Sequence, residues 1–261
     1  MRVTSFLSVA AALIVCVVGG ASASARAASS CSVSSPPHRV ALVELYTSEG
    51  CSSCPPAENW LSALDQGRTA GMIVPLALHV DYWDSLGWKD RFAQSTFTIR
   101  QQRLSAEGRQ HTVYTPEVFV DGRELRAWSD DARFVSAIHQ LNAEASQIDI
   151  HVEAHPIQSG RIMFKATFLA AGELPDDIVA YAAVYESGID SNVKAGENEG
   201  VTLHHDRVVR QWIGPVPVID GHVAIAGDYP GGSGKSGVVA FAENRATGEV
   251  LQVSELPSCA N

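Results

Sequence analysis

Two cysteines with two residues between them, Cys51-Ser52-Ser53-Cys54, are the residues of this chain best suited to chemistry. Such a pair closes into a small disulfide ring or opens to a dithiol. It stands where the apolar run Val40-Ala41-Leu42-Val43-Glu44-Leu45-Tyr46 gives way to a helical pattern. A sulfur at a helix start feels the positive end of the backbone dipole, which favours thiolate. That is the chemistry of thiol–disulfide exchange. A Cys-x-x-Cys also serves as a fixed disulfide or as half of a zinc site, but zinc wants a second such pair or a His pair at fixed spacing. The sequence has no such knuckle.

Other residues compete for a role. His79-Val80-Asp81-Tyr82-Trp83-Asp84 ends a predicted strand, and Asp81, Trp83 and Asp84 could wall a binding site. The plainer reading is that Trp83 and Trp88 pack. His204 and His205 are neighbours on a predicted strand and point to opposite faces, which reads as a surface pair rather than a metal site. Two thiolates with an imidazole such as His79 or His111 would suit Cu(I). Gly231-Gly232-Ser233-Gly234-Lys235-Ser236 ends like a phosphate-binding loop, yet its opening glycine would fall at 229, which is Tyr, and a strand follows. Nucleotide binding is rejected.

The compartment decides what the thiols meet. Arg2, an apolar stretch over 6–18 and small-x-small steps ending at Ala23, Ala25 and Ala27 form the pattern of a cleaved export signal over 1–27. The stretch is too short to span a bilayer well. Cleavage would remove Cys16 and leave Cys31, Cys51, Cys54 and Cys259, an even number that suits an oxidising compartment, periplasmic or secreted. Four cysteines allow three pairings; the close spacing favours 51 with 54, which leaves 31 with 259, a structural bridge tying the chain ends and worth roughly 5 kcal/mol in a chain-entropy account. The formal charge of −10 excludes nucleic acid or an anionic membrane surface as partner. No cofactor is expected, and no stable membrane insertion.

Roughly 235 residues after cleavage suffice for two modest domains. Beyond a Ser/Pro-rich lead-in over 28–39, the first part alternates strand and helix. Strands are predicted over 40–46 and 72–80. Ala57, Trp60, Leu61 and Leu64 form a helix stripe, and further helices follow near 97–106 and over 131–145. Residues 113–122 read as loop, strand and Asp-Gly turn. From Ile148 the pattern switches to short strands, over 148–154, 161–170, 177–186, 208–213, 222–226, 238–243 and 249–253, with a hairpin connection at 244–248. Repeated strands without a strong helix predict an antiparallel sandwich. The boundary falls at 146–147, which gives domains over 40–146 and 147–261.

Strand, Cys-x-x-Cys-Pro at a helix start, then Thr115-Pro116 before a hairpin resembles the thioredoxin superfamily over roughly 40–145. More specifically, Val43-Glu44-Leu45-Tyr46-Thr47-Ser48-Glu49-Gly50-Cys51-Ser52-Ser53-Cys54-Pro55-Pro56-Ala57 is similar to a bacterial family of exported thioredoxin-like proteins, catalogued as domain of unknown function 1223. Leu86-Gly87-Trp88-Lys89-Asp90, Val113-Tyr114-Thr115-Pro116 and His205-Asp206-Arg207-Val208-Val209-Arg210 extend that resemblance along the chain. It implies a fold but no activity.

By that resemblance Cys51 attacks, Cys54 resolves, and Pro116, at the only common kind of cis candidate, would lie beside the dithiol and present a partner backbone. Glu44 would be the buried carboxylate that aids proton transfer, since an acid in an apolar strand is costly to bury without purpose. Ser52-Ser53 differs from the Gly-Pro of reducing thioredoxins and the Pro-His of a strong periplasmic oxidase.

The sequence therefore predicts an α/β thioredoxin-like domain followed by an all-β, sandwich-like domain. The expected function is thiol–disulfide exchange through Cys51 and Cys54 with a protein or small thiol partner. The alternatives are a partner-binding protein with a permanent 51–54 disulfide, and a copper-binding module.

Overall fold

The computed structural model describes Met1, residues 30–64, Thr69 and residues 71–110, 112–231 and 235–258. The signal segment expected over 1–27 lies outside the described residues apart from Met1, as do His111 and Cys259. No described helix is long and apolar enough to cross a membrane.

The first half of the chain forms β1 (Cys31–Ser34), β2 (Ala41–Thr47), α1 (Pro55–Leu64), β3 (Ile73–His79), α2 (Ser95–Glu107), β4 (Glu117–Val120), β5 (Arg123–Glu124) and α3 (Asp131–Asn142). The second half forms β6 (Ile148–Ile157), β7 (Arg161–Ala170), β8 (Ile178–Ser187), β9 (Ile189–Asn192), β10 (Thr202–His205), β11 (Val208–Pro217), β12 (His222–Pro230), β13 (Lys235–Asn244) and β14 (Val250–Pro257). Local chemistry sets several of these limits. Pro55 and Pro56 stand in the first turn of α1, where a missing N–H costs nothing. The Asp130 carboxylate caps α3 by accepting from the Arg133 amide at 3.2 Å.

The strands do not divide into a first-half and a second-half sheet. One eight-stranded mixed sheet runs β14-β13-β8-β11-β3-β2-β4-β5 and takes four strands from each half. Its seam is β11, which pairs antiparallel with β8 and parallel with β3, Val208 opposite Ala77. The expected thioredoxin-like domain followed by an all-β domain is thereby corrected. The physical reason is β8, whose residues Ile178–Tyr185 are all buried because the strand lies inside the sheet and is covered on both faces. A strand buried on both faces shows no alternation and gives no hint of its neighbours.

Alternation within the sheet assigns three cores. Leu42, Tyr46, Leu76, Phe97, Tyr181, Val239 and Phe241 share one face of the sheet with α2. On the opposite face, Val43, Leu45, Leu61, Phe134 and Ile138 pack α1 and α3 over β2, β3 and β4. Further along that face, Ala180, Ala182, Val184 and Ala240 meet Ile150, Val152, Phe164 and Phe168 of a four-stranded antiparallel sheet, β1-β6-β7-β12. Sheet packs on sheet there, but one layer is the sheet shared with the first half.

Candidate functional site

The loop between β2 and α1 turns tightly: the Cys51 amide donates to Ser48 O at 3.1 Å and the Cys54 amide to Cys51 O at 3.2 Å. Cys54 O then receives the amides of Ala57 and Glu58 and opens α1. The cysteines are joined in a disulfide with Cα atoms 5.5 Å apart. Both are fully buried, while Ser52 and Ser53 are exposed.

The cover comes from the β9–β10 connection, residues 193–201. Asn198 Nδ2 donates to Glu49 O at 2.9 Å and to Cys51 O at 3.1 Å. Glu197 Oε2 accepts from the Ser52 hydroxyl at 2.6 Å and the Ser52 amide at 3.1 Å, and the Ser52 hydroxyl draws the Glu197 carboxyl below its ordinary range. Gly196, at φ +80°, lets this connection lie against Trp88, where an added Cβ would stand 3.2 Å from the Trp88 Cβ.

On the other side lies Thr115-Pro116, whose peptide bond is cis. Thr115 O accepts from Ser53 Oγ at 3.5 Å, and Thr115 Oγ1 accepts from Trp83 Nε1 at 2.8 Å. Trp83 also backs Gly50. The two tryptophans thus frame the disulfide loop and donate hydrogen bonds as well as packing, since Trp88 Nε1 reaches Glu49 Oε2 at 2.6 Å.

Directly beneath is a buried ionic cluster. His205 Nδ1 lies 2.7 Å from Glu58 Oε2. Its Nε2 faces Glu49 Oε1 at 3.3 Å, an ion-pair distance without hydrogen-bond alignment. His79 Nδ1 lies 2.7 Å from Asp90 Oδ2, which also accepts from the Glu49 amide at 2.8 Å. The two imidazoles meet edge to face at 5.2 Å, with the Phe92 ring against both.

Burial opposes every charge here, yet the partners prevail. The Glu58 carboxyl is held below its ordinary value by His205, then His79 and the Thr47 hydroxyl. Asp90 is held low by His79 and the amides of Glu49 and Phe92. Glu49 is held low by the facing His205, with Ser191 and Trp88. His205, though burial pushes it down, is carried up to about 9 by Glu49 and Glu58, so it is an imidazolium at neutral pH.

Of the residues singled out from sequence, Cys51, Cys54 and Pro116 come together. Glu44 does not join them. β2 alternates, so Glu44 shares the face of Leu42 and Tyr46, opposite α1. There it pairs with Arg100 at 2.6 Å, and Arg100 also pairs with Glu243 at 2.6 Å. Asp81 and Asp84 bind locally, to Thr98 Oγ1 and the Asp90 amide. The expected surface pair is corrected: His204 is exposed beside Asp190, but His205 is buried, because adjacent strand residues face opposite ways and one face of β10 meets α1. Cys31 is disulfide-bonded, while its expected partner Cys259 lies outside the described residues. A strand, β13, follows the glycine-rich stretch, so no helix N-terminus is there to receive a phosphate.

The buried acids beneath the disulfide, Glu49, Glu58 and Asp90, were not anticipated. One signal for them exists: Glu58 follows Cys54 by four residues and so lies one turn along the same helix face. Elsewhere, a cleft of about 380 Å³ lined by Arg161, Tyr185, Glu186, Arg210 and Asp228 includes none of the disulfide residues.

Similar folds are known. The crystal structure of protein AGR_C_4864 from Agrobacterium tumefaciens matches with a TM-score of 0.58 at 23% identity, covering 85% of this chain and 96% of that one. HBP35 of Porphyromonas gingivalis matches with a TM-score of 0.64 at 12% identity, covering 85% of this chain and 76% of that one. At these identities the likeness is one of fold. No curated protein matches the sequence. The family model described as protein of unknown function (DUF1223) matches residues 42–242, and the chain belongs to that family.

Proposed function

We propose that the chain carries out thiol–disulfide exchange through Cys51 and Cys54 on a protein or small-thiol partner, in the periplasm or outside the cell. The observation that carries the reading is the placement of the disulfide. It stands at the head of α1 with the Thr115 carbonyl beside Ser53, above the Glu49–His205–Glu58 cluster. These local features, β2, Cys-x-x-Cys, α1 and the Thr-Pro step, also support kinship with the thioredoxin superfamily at the level of the site rather than of the whole chain.

In the exchange, a partner thiolate attacks the Cys51 sulfur, the Cys51–Cys54 bond breaks, and Cys54 leaves as thiolate. A second partner thiol then displaces Cys51, so two electrons pass to this chain and the partner gains a disulfide. The reverse sequence reduces a partner. Replacing Cys54 with Ser should trap mixed disulfides through Cys51, and replacing Cys51 with Ser should abolish them. Failure of both variants to trap any partner, with no exchange of the wild-type bond with glutathione, would sink the reading.

Burial of both cysteines favours a second reading, a partner-binding protein whose disulfide is permanent. That reading predicts a very low reduction potential and no trapped species. Under the first reading, the buried disulfide loop must open before a partner can reach the sulfur.

A further inference from the structure

Under the disulfide, the carboxylates of Glu49, Glu58 and Asp90 are buried with the imidazoles of His79 and His205. Their ion pairs run to one another. Three buried carboxylates therefore share only two imidazoles, and an uncompensated buried charge is expensive.

Donor atoms are also left over. His79 Nε2 has no hydrogen-bond partner among the described residues, and His205 Nε2 and Glu49 Oε1 face each other at 3.3 Å without hydrogen-bond alignment. These side chains are nonetheless fixed from their other ends. Asp90 holds His79 Nδ1 at 2.7 Å, Thr47 Oγ1 donates to Glu58 Oε1 at 2.6 Å, and Trp88 Nε1 donates to Glu49 Oε2 at 2.6 Å. Asp90 is itself anchored by the amides of Glu49 and Phe92, each at 2.8 Å. An imidazole tethered by a carboxylate at one nitrogen, with the other nitrogen free, is how metal-ligating histidines are oriented. One donor atom each from Glu58, His79 and His205 lies within 4.8 Å of the others. Donors about 2.0–2.2 Å from a shared zinc ion would need only a small inward shift from there.

We propose that Glu58, His79 and His205 form a binding site for a divalent cation, with Zn²⁺ the ion best suited to two imidazoles and a carboxylate, and Glu49 a second carboxylate at its edge. The ligands come from α1, β3 and β10, so the ion clamps the helix that follows Cys54 to strands from both halves of the chain. The cysteines contribute no ligand.

The full chain, with its disulfide intact and stripped by a chelator, is titrated with Zn²⁺ against a chromophoric competitor and separately with Co²⁺. The expected result is one ion per chain and a Co²⁺ spectrum of nitrogen and oxygen ligands without thiolate charge transfer. Affinity should fall about 10–100-fold in Asp90→Asn, as for removal of other outer-shell partners, and stoichiometric uptake should be lost in His79→Gln. The Cys51→Ser/Cys54→Ser double variant should bind as wild type does, which separates this site from the exchange reading. No stoichiometric uptake by wild type, loss of uptake in the cysteine variant, or wild-type affinity in folded His79→Gln would each overturn the site. If His79→Gln does not fold, the wild-type Co²⁺ spectrum decides, a thiolate spectrum or none counting against it.

Discussion

The side-chain amide of Asn198 donates to the carbonyl of Cys51 at 3.1 Å, across 147 positions of sequence. The same amide holds Glu49 O, so one side chain bonds two carbonyls of the disulfide loop, beside the Glu197–Ser52 contacts. Asn198→Ala leaves two buried carbonyls without this donor, at about 1–3 kcal/mol. The variant should melt lower, and dithiothreitol should reduce its Cys51–Cys54 bond several-fold faster than the wild-type bond. A stability loss with an unchanged reduction rate would show that the connection does not gate the sulfurs.

Arg100 lies between Glu44 and Glu243, with its guanidinium over the rings of Tyr181, Trp212 and Phe241. Arg100→Met strands the buried Glu44 carboxylate and leaves Glu243 with Arg103 as its remaining partner, and urea unfolding should register a loss of about 3–5 kcal/mol. The double variant Arg100→Met/Glu44→Gln should recover part of it, because one uncompensated charge is removed.

Glu117 follows Pro116 and accepts from Gln101 Nε2 at 2.6 Å. Burial, reinforced by the Glu124 carboxylate, pushes its carboxyl up to about 7 from an ordinary 4.5. The folded state therefore binds this proton more tightly than the unfolded state. Its stabilising contribution is full below pH 4.5 and is lost as pH rises through about 7. Glu117→Gln keeps an acceptor for Gln101 but cannot ionise. The drop in stability between pH 5 and pH 8, followed by urea unfolding, should shrink by about 1–3 kcal/mol. A variant with the wild-type pH slope would show that Glu117 does not carry that dependence.

Gly122 ends the Asp-Gly turn between β4 and β5 at φ +76°, and a Cβ there would meet Gly248 O of the β13–β14 hairpin at 1.8 Å. Gly122→Ala should therefore destabilise well beyond the roughly 1 kcal/mol of backbone preference alone. Gly71→Ala is the control, with φ +77° and open space around it. Thermal melts of the two separate the close approach from the dihedral cost.

How much of this was legible in the sequence depends on how local each signal is. Ala57, Leu61 and Leu64 marked α1 because a helix repeats its buried face every turn. β6 showed itself through strict alternation from Ile148 to Ala154. The pairing of β11 with β3 had no such signal. Val208 opposite Ala77 is a contact between two apolar residues more than a hundred positions apart, and either would fit many partners. The choice of Glu44 failed for a related reason. An acid in an apolar strand announces that it is buried, but not on which face, and β2 turned it toward Arg100. His205 was hidden because its two anions, Glu49 and Glu58, come from a loop and a helix that only the fold brings to β10.

The distance in sequence between Cys51 and Asn198 also orders events in time. At translation rates of about 5–20 residues per second, Cys51 is made roughly 7–30 s before Asn198. For that interval the thiols have no cover and are open to any oxidant they meet. Once Asn198 and Glu197 hydrogen-bond the loop, every exchange at the sulfurs has to compete with those long-range contacts.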